Sequence, residues 1–409
     1  MINATNVMIE NQKYNSIKPE KNYKGRKLNS KTAQKQVKIG IVGAAGDIIN
    51  FVHLPNLKRN PKAHFSAFCD RNIEKVNAII KEKSYEVDYV TDNYDQMLDD
   101  SEIQLIIAGL PHEIHHEVIK KASQAGKDIF IEKPMGLSPN ECLDLLPIIK
   151  KSGIRVMIGH NRRFAPSYID AKNIYQNSMH TKPAILTYRV ADPLPQYYEY
   201  EIPEGGRIYG EECHFFDLLA WFLEDEPIKI YTEGDLLDFQ ITIKFKRGSR
   251  AVLTSSAQGG MGIPKELFEC HADYQSIIVE GNVCLTHAGN HGDYRIINYP
   301  LHFDPYPDIP NTSEGYRLRM KKYAIDNFQG KFKTFSQPFG SKGHYEELDE
   351  CMNAILENRR FAADEIDGAR AVLCCDAAVR SLQTGHPEEL DFSDFRLKQY
   401  DTITYNKQK

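Results

Sequence analysis

The spacing of apolar residues changes character partway along the chain, and the two regimes predict two different kinds of sheet. From Val37 to about residue 160, short continuous apolar runs are separated by stretches with helical spacing. Val37-Lys38-Ile39-Gly40-Ile41-Val42 predicts a strand, Gly43-Ala44-Ala45-Gly46 a tight turn, and the segment through Leu57 a helix. Phe65 to Asp70 predicts a second strand and Ile73 to Lys83 its helix, with Leu105 to Leu110 as a later buried strand. Glu113 to Ala125 suits a helix, which Gly126 closes by supplying a left-handed residue. Asp128 to Ile131 follows as another strand. Such alternation predicts a parallel sheet covered on both faces, with ligands at the carboxyl ends of its strands.

Past about Arg162 alternating strand patterns take over, at Ala184 to Val190, Phe239 to Phe245, Ala251 to Ser256 and Ser276 to Glu280. A helical interruption runs from His214 to Leu223. An α+β domain with a largely antiparallel, open sheet is the architecture these patterns predict. His287 to Pro310, rich in Gly, Asn, Asp, Pro and aromatics, predicts a long surface loop. Gly343 to Glu357 and Gly368 to Leu382 predict helices that pack back on the body. Before Val37 the chain is polar and lysine-rich with little to bury, which predicts a mobile tail. The expected division is therefore a tail over 1–36, a dinucleotide-binding α/β domain over 37–160, and a substrate-binding α+β domain over 161–409. That second domain's open sheet leaves a face suited to a symmetric contact, so a homo-oligomer is expected.

Composition narrows the classes of function. No run approaches the roughly 20 apolar residues that span a bilayer, and the N-terminal segment has no apolar core of the secretory kind. A net charge of -5 over 409 residues carries no broad footprint for nucleic acid. The 8 cysteines are scattered without CxxC or metal-finger spacing, pointing to reduced thiols in a cytoplasmic protein. Cys374-Cys375 lies in an apolar helical pattern, where packing explains it. His112, His115 and His116 crowd one turn, and no metal site is expected there.

Candidate chemistry begins at the glycine turn. Glycines after a first strand let backbone approach a pyrophosphate, although in a GxGxxG register from Gly43 the later glycine positions hold Ala45 and Ile48. Gly43, Ala45 and Gly46 are the candidate contacts. Asp70, ending the next strand, stands where a carboxylate receives adenosine ribose hydroxyls, which favours NAD; Arg71 beside it leaves NADP open. Lys133 in Ile131-Glu132-Lys133-Pro134 is placed to take a hydroxyl proton as hydride leaves carbon. His214 titrates near neutrality and suits a general acid or base, with Asp217 one helical turn later on the same face. His115, at a strand-to-helix junction, is read as a supporting residue that caps or contacts cofactor. Asn161 and Arg163 offer amide and guanidinium donors to sugar hydroxyls or an acidic group. Tyr197-Tyr198-Glu199-Tyr200 reads as packing or a subunit contact before it reads as a carbohydrate platform.

Taken together, Glu132-Lys133-Pro134, Pro111-His112-Glu113-Ile114-His115, Asn161-Arg162-Arg163-Phe164 and His214-Phe215-Phe216-Asp217 resemble the Gfo/Idh/MocA family of sugar and cyclitol oxidoreductases. The resemblance runs from about Val37 through the C-terminal helices. It implies a Rossmann-type doubly wound sheet followed by the α+β domain, and reversible hydride transfer between NAD(P) and a secondary alcohol of a sugar, nucleotide-sugar or cyclitol. It also implies that Pro111, His115 and Glu132 contact the cofactor, and that Lys133 orients substrate and handles its proton. Many members place an aspartate four residues before the catalytic histidine. That position is Gly210 here, and Glu211 beside it is the candidate replacement. The run from Gly205 to Phe215 resembles a branch whose longer members add a zinc-alcohol-dehydrogenase-like half. No such half follows in this sequence, so a separate protein of that kind is a candidate partner. Two other functions fit the same scaffold: a glycosidase that recycles bound NAD, and a non-catalytic dinucleotide or sugar sensor.

Overall fold

The computed structural model describes residues 35–192, 205–260, 262–290, 292, 294–331 and 338–393. The expectations for a tail and for Tyr197 to Tyr200 fall outside the described residues, save for Lys35 and Gln36.

The first sheet has six parallel strands in the order β3-β2-β1-β4-β5-β6. They are β1 (Val37–Val42), β2 (Ala63–Cys69), β3 (Tyr89–Thr91), β4 (Leu105–Ala108), β5 (Asp128–Ile131) and β6 (Val156–Ile158). Every residue of β4, β5 and β6 is buried, as a sheet covered by helices on both faces requires. Chain order reverses between β1 and β4, so the crevice beyond their carboxyl ends is where a ligand can enter. The helices are α1 (Leu54–Lys58), α2 (Ile73–Lys83), α3 (Tyr94–Asp99), α4 (His115–Gln124) and α5 (Pro139–Ser152). Their starts are marked by side-chain caps: Asn72 accepts from the Lys75 amide and Ser138 from that of Glu141. Ahead of α1, the helix expected through Leu57 first winds as a π-helical turn at Ile49–His53.

After β6 a short 3-10 turn at Asn161–Phe164 and α6 (Pro166–Ser178) lead to a nine-stranded sheet ordered β14-β13-β12-β11-β7-β10-β9-β8-β17. Its strands are β7 (Ile185–Ala191), β8 (Pro227–Gly234), β9 (Phe239–Phe245), β10 (Arg250–Ser256), β11 (Glu266–Ala272), β12 (Gln275–Glu280), β13 (Cys284–Gly289), β14 (Tyr294–Asn298) and β17 (Glu388–Glu389). Neighbours are antiparallel except β7 with β10. Along β9 buried and exposed positions alternate without a break, so one face is core and the other open. Against the buried face lies α7 (Cys213–Leu223), whose Phe215, Leu218 and Phe222 share a core with Leu186, Tyr188 and Leu253.

The loop expected over His287 to Pro310 is instead interrupted by strand in its first two thirds. β13 and β14 form a hairpin, and β15 (Leu301–Phe303) pairs with β16 (Phe339–Gly340). The sequence hides this because β14 is an edge strand with four of its five residues exposed. Its order comes from backbone pairing, which leaves no apolar alternation to read.

Beyond α8 (Ser313–Phe328), α9 (His344–Glu357) and α10 (Glu365–Thr384) close the body. Leu348, Cys351 and Met352 of α9 share a core with Ile39 of β1 and Phe130 of β5, while α10 joins the core of α7. Gly343 caps α9 at φ 92°, and a Cβ there would stand 2.2 Å from the Asn161 carbonyl oxygen, so α9 abuts the 3-10 turn as a bare backbone contact. All eight cysteines are free thiols and buried. Among the described residues, no helix is long and apolar enough to cross a membrane, and no group of His, Cys, Asp and Glu is arranged to hold a metal ion.

Candidate active site

The turn after β1 is shaped for close approach. Gly43 has φ 77°, and a Cβ there would meet the Gly109 carbonyl oxygen at 2.3 Å, so only glycine fits between the ends of β1 and β4. Asp70 closes the other side. Its Oδ2 accepts the Ala45 amide at 2.9 Å, which ties the acid beyond β2 to the turn itself. A backbone turn free of Cβ at its tightest point and a carboxylate at the next strand end fit a dinucleotide. The Gly43 to Gly46 turn would face its pyrophosphate and Asp70 its adenosine ribose. Arg71 is exposed beside Asp70, and Pro111 is exposed at the end of the β4 segment.

Beyond β5, Glu132 and Lys133 are held from below. His53 Nε2 lies 2.6 Å from Glu132 Oε1, with the histidine side chain fully buried. Burial pushes the Glu132 carboxyl up, but the hydrogen bond and charge of His53, followed by Lys133, outweigh it and hold it at about 2. His115 is also fully buried, with Nδ1 2.7 Å from the Pro134 carbonyl oxygen and Nε2 3.0 Å from that of Leu110. Burial keeps the ring neutral, so its one N–H donates to one of these two carbonyls. His115 braces the segment that carries Lys133 from inside the fold.

Lys133 Nζ donates to the carbonyl oxygen of Gly210. That glycine lies in a π-helical turn, Ile208–Glu212, which runs straight into α7. A backbone oxygen therefore stands where many members of the resembled family present an aspartate. Glu211, the candidate replacement, turns elsewhere: its Oε1 is 2.9 Å from Lys265 Nζ. Burial raises its pKa, yet Lys265, Arg162, Arg207 and Lys133 outweigh that and keep it well below the usual carboxylate range. It is an ionised partner for cations and holds no proton to give near neutral pH.

His214 sits in the first turn of α7, 7 % exposed. Burial, then the charges of Arg162 and Lys133, push its pKa well below that of a free imidazole. Near neutrality it is uncharged, suited to accept a proton or a hydrogen bond. A second ring stands beside it, unweighed in the sequence. His160 is buried, its centroid lies 6.2 Å from that of His214, and neither of its nitrogens has a hydrogen-bond partner among the described residues.

The remaining candidates are engaged inside the protein. Arg163 pairs with Asp217 in a buried bidentate contact and reaches Asp367 at 3.0 Å and the Ala362 carbonyl at 2.6 Å. The two were expected to meet substrate; they clamp the 3-10 turn to α7 and α10, and they line a cavity of about 680 Å³ with Lys172 and Trp221. Asn161 Nδ2 donates to the Lys342 carbonyl at 2.8 Å and lies 3.1 Å from His344 Nε2. Its side chain fixes the start of α9.

Sequence reasoning missed a charge network beside His214. Arg162 grips Glu266 at 2.7 and 3.1 Å, with Lys342 3.3 Å from the same carboxylate. Lys265 bridges Glu211 and Asp192, and Arg207 takes the other oxygen of Asp192 at 3.2 Å. Nothing local marks Lys265 or Lys342. The signal for His53 was its helical placement ahead of α1 in a run otherwise apolar.

Hydride transfer needs a bound dinucleotide and, opposite it, groups that manage the proton of the alcohol; the two sheets meet around such an arrangement. The protein is therefore of the class of nicotinamide-dependent oxidoreductases. Residues 37–160 match the model of the Gfo/Idh/MocA oxidoreductase family with an NAD-binding Rossmann fold. The chain is 30% identical over 240 residues to the uncharacterized oxidoreductase YrbE of Bacillus subtilis, covering 56% of this chain and 69% of that protein. It belongs to the Gfo/Idh/MocA family. The inositol 2-dehydrogenase of Rhizobium meliloti is 24% identical over 348 residues, 85% of this chain and 97% of that one. A solved structure of levoglucosan dehydrogenase in complex with NADH shares the fold with a TM-score of 0.71 at 17% identity, covering 87% of this chain and 100% of that chain.

Proposed function

We propose that the protein transfers hydride between NAD and a secondary alcohol of a sugar, nucleotide-sugar or cyclitol. The observation that carries this is the convergence of Lys133 and the start of α7, where Lys133 meets Gly210 four residues from neutral His214. The relatives named for inositol and levoglucosan support the substrate class. Bound NAD supplies the hydride acceptor, and NADP is the less favoured cofactor because Asp70 would repel a 2′-phosphate.

The chain's own part is proton management and orientation. Lys133, donating from its ammonium, orients the alcohol oxygen and stabilises the charge that develops on it, and His214, uncharged, accepts the hydroxyl proton as hydride leaves carbon. Glu132 and His53 hold the strand end that presents Lys133. Glu211 acts through Lys265 and is a positioning residue. Self-association through the open face of the nine-stranded sheet, where Gln240, Thr242 and Lys244 of β9 point outward, belongs to the same reading; light scattering on the purified protein tests it.

The test is nicotinamide absorbance followed across sugars, cyclitols and nucleotide-sugars in both directions. Lys133→Ala is expected to lose roughly 10²-fold or more in kcat/KM while binding NAD like its parent. Near-parental turnover by a folded, NAD-bound Lys133→Ala sinks the proposal. Release of an aglycone without net NADH would identify recycling chemistry, and binding without turnover would identify a sensor.

A further inference from the structure

The charge network beside His214 is not balanced at Lys342. Glu266 already accepts two bonds from Arg162 and a third from the Tyr188 hydroxyl at 2.9 Å, so Lys342 is the second cation on a carboxylate that is fully engaged. On its other side stands a ring: Nζ lies 5.1 Å from the centroid of Phe339. Burial, with Arg162 and Lys265 adding to it, lowers its pKa, as expected of a cation short of countercharge.

Lys342 is also accessible. A fifth of its side chain is exposed, as is a fifth of that of Lys265. It lines a cavity of about 440 Å³ together with Arg59, His302, His344, Phe51 and Phe339, and among the described residues no carboxylate lines that cavity. Glu266 and Arg162, which face Lys342, also act by their charges on His214. A neutral polyol would leave the charge of Lys342 facing a cationic, half-aromatic space, whereas a carboxylate or phosphate would complete it.

We propose that Lys342 marks an anion-recognising subsite, so that the substrate is an acidic sugar or cyclitol bearing a carboxylate or a phosphate. This rests on the dehydrogenase reading above. The anion would meet Lys342, with Arg59 as the second cation lining the same cavity, while the reacting alcohol lies toward Lys133 and His214.

Matched pairs test it with the full-length enzyme and NAD: glucose against glucuronate, galactose against galacturonate, and myo-inositol against its monophosphate. The acidic member of at least one pair is expected to have kcat/KM higher by about tenfold or more, a charge-assisted bond's worth, and which pair responds separates carboxylate from phosphate. Lys342→Gln should abolish that preference through KM for the acidic member, and Lys342→Arg should retain it. Equal use of neutral and acidic members, or a preference untouched in Lys342→Gln, overturns the proposal. If no compound is turned over, the dehydrogenase reading has failed by itself. The subsite is then decided by thermal unfolding of the NAD-saturated protein: acidic members must raise Tm above their neutral counterparts, and an equal shift overturns it.

Discussion

The two walls of the cleft hold their polar groups by different means. On the first sheet's wall, side chains are braced by backbone: His115 spans two loop carbonyls, the Gly43 turn packs on Gly109, and one buried pair, His53 with Glu132, secures the end of β5. On the second sheet's wall, side chain holds side chain. Arg162, Arg207, Lys265 and Lys342 share Glu266, Asp192 and Glu211 among the described residues. Backbone anchors fix a geometry whatever the charge nearby, which suits a wall that must present one lysine at one place. Ion-pair networks leave a net charge that selects what approaches, and they make stability depend on each member.

The sharpest way to break this comparison is at its hinge, where Arg163 and Asp217 meet with 4% and 2% of their side chains exposed. Arg163→Leu leaves Asp217 buried beside no cation and should cost about 3–5 kcal/mol of stability. Arg163→Leu with Asp217→Leu should recover much of that, because the buried carboxylate of Asp217 is gone and Asp367 keeps Arg370 at 3.6 Å. Urea unfolding with an unchanged m-value reads both. A single variant of parental stability that has lost turnover would instead place Arg163 at the substrate.

Glu132→Gln comes next and probes the first wall. Replacing a charge-assisted bond to His53 by a neutral one should cost about 1.5–3 kcal/mol. The pH dependence has a definite sign. The carboxyl is held at about 2 in the fold, against about 4.3 in an unfolded chain. Its stabilisation is then complete above that unfolded value and disappears as pH falls through about 2. The gap between parent and Glu132→Gln should therefore close on acidification; a gap that widens toward low pH would mean that His53 and Glu132 do not pair as an ionised acid and its donor.

How much of this was legible follows from the same contrast. Strands β1, β5 and β9 could be bounded to the residue, because burial on one or both faces writes its period directly into the chain. Lys133 and the glycine turn were legible because strand, turn and ligand-facing residue are neighbours in sequence. Arg162 and Glu266 are 104 residues apart and Arg163 and Asp217 are 54 apart, so no window of sequence contains either pair. Arg163 looked like a surface donor for that reason. Glu211 was suggested only by its place beside Gly210, and adjacency does not tell that the Gly210 carbonyl, in the π-helical turn at Ile208–Glu212, accepts from Lys133.

The gentlest probe of the second wall is Tyr188→Phe. The hydroxyl donates to Glu266 at 2.9 Å and meets the Tyr168 hydroxyl at 2.9 Å, beneath the network and away from solvent. Removing it should cost about 1.5 kcal/mol, the low end for a hydrogen bond to a charged group, since Glu266 keeps Arg162 and Lys342. That small value is informative. If the wall is a network in which cations exceed what Glu266 can satisfy, losing a neutral donor shortens the competition for that carboxylate and leaves stability nearly intact. A loss of 3 kcal/mol or more would mean that Tyr188 is an essential donor to Glu266. Lys342 would then be bound more tightly to Glu266 than its 3.3 Å separation suggests, and its charge would not be available to a ligand.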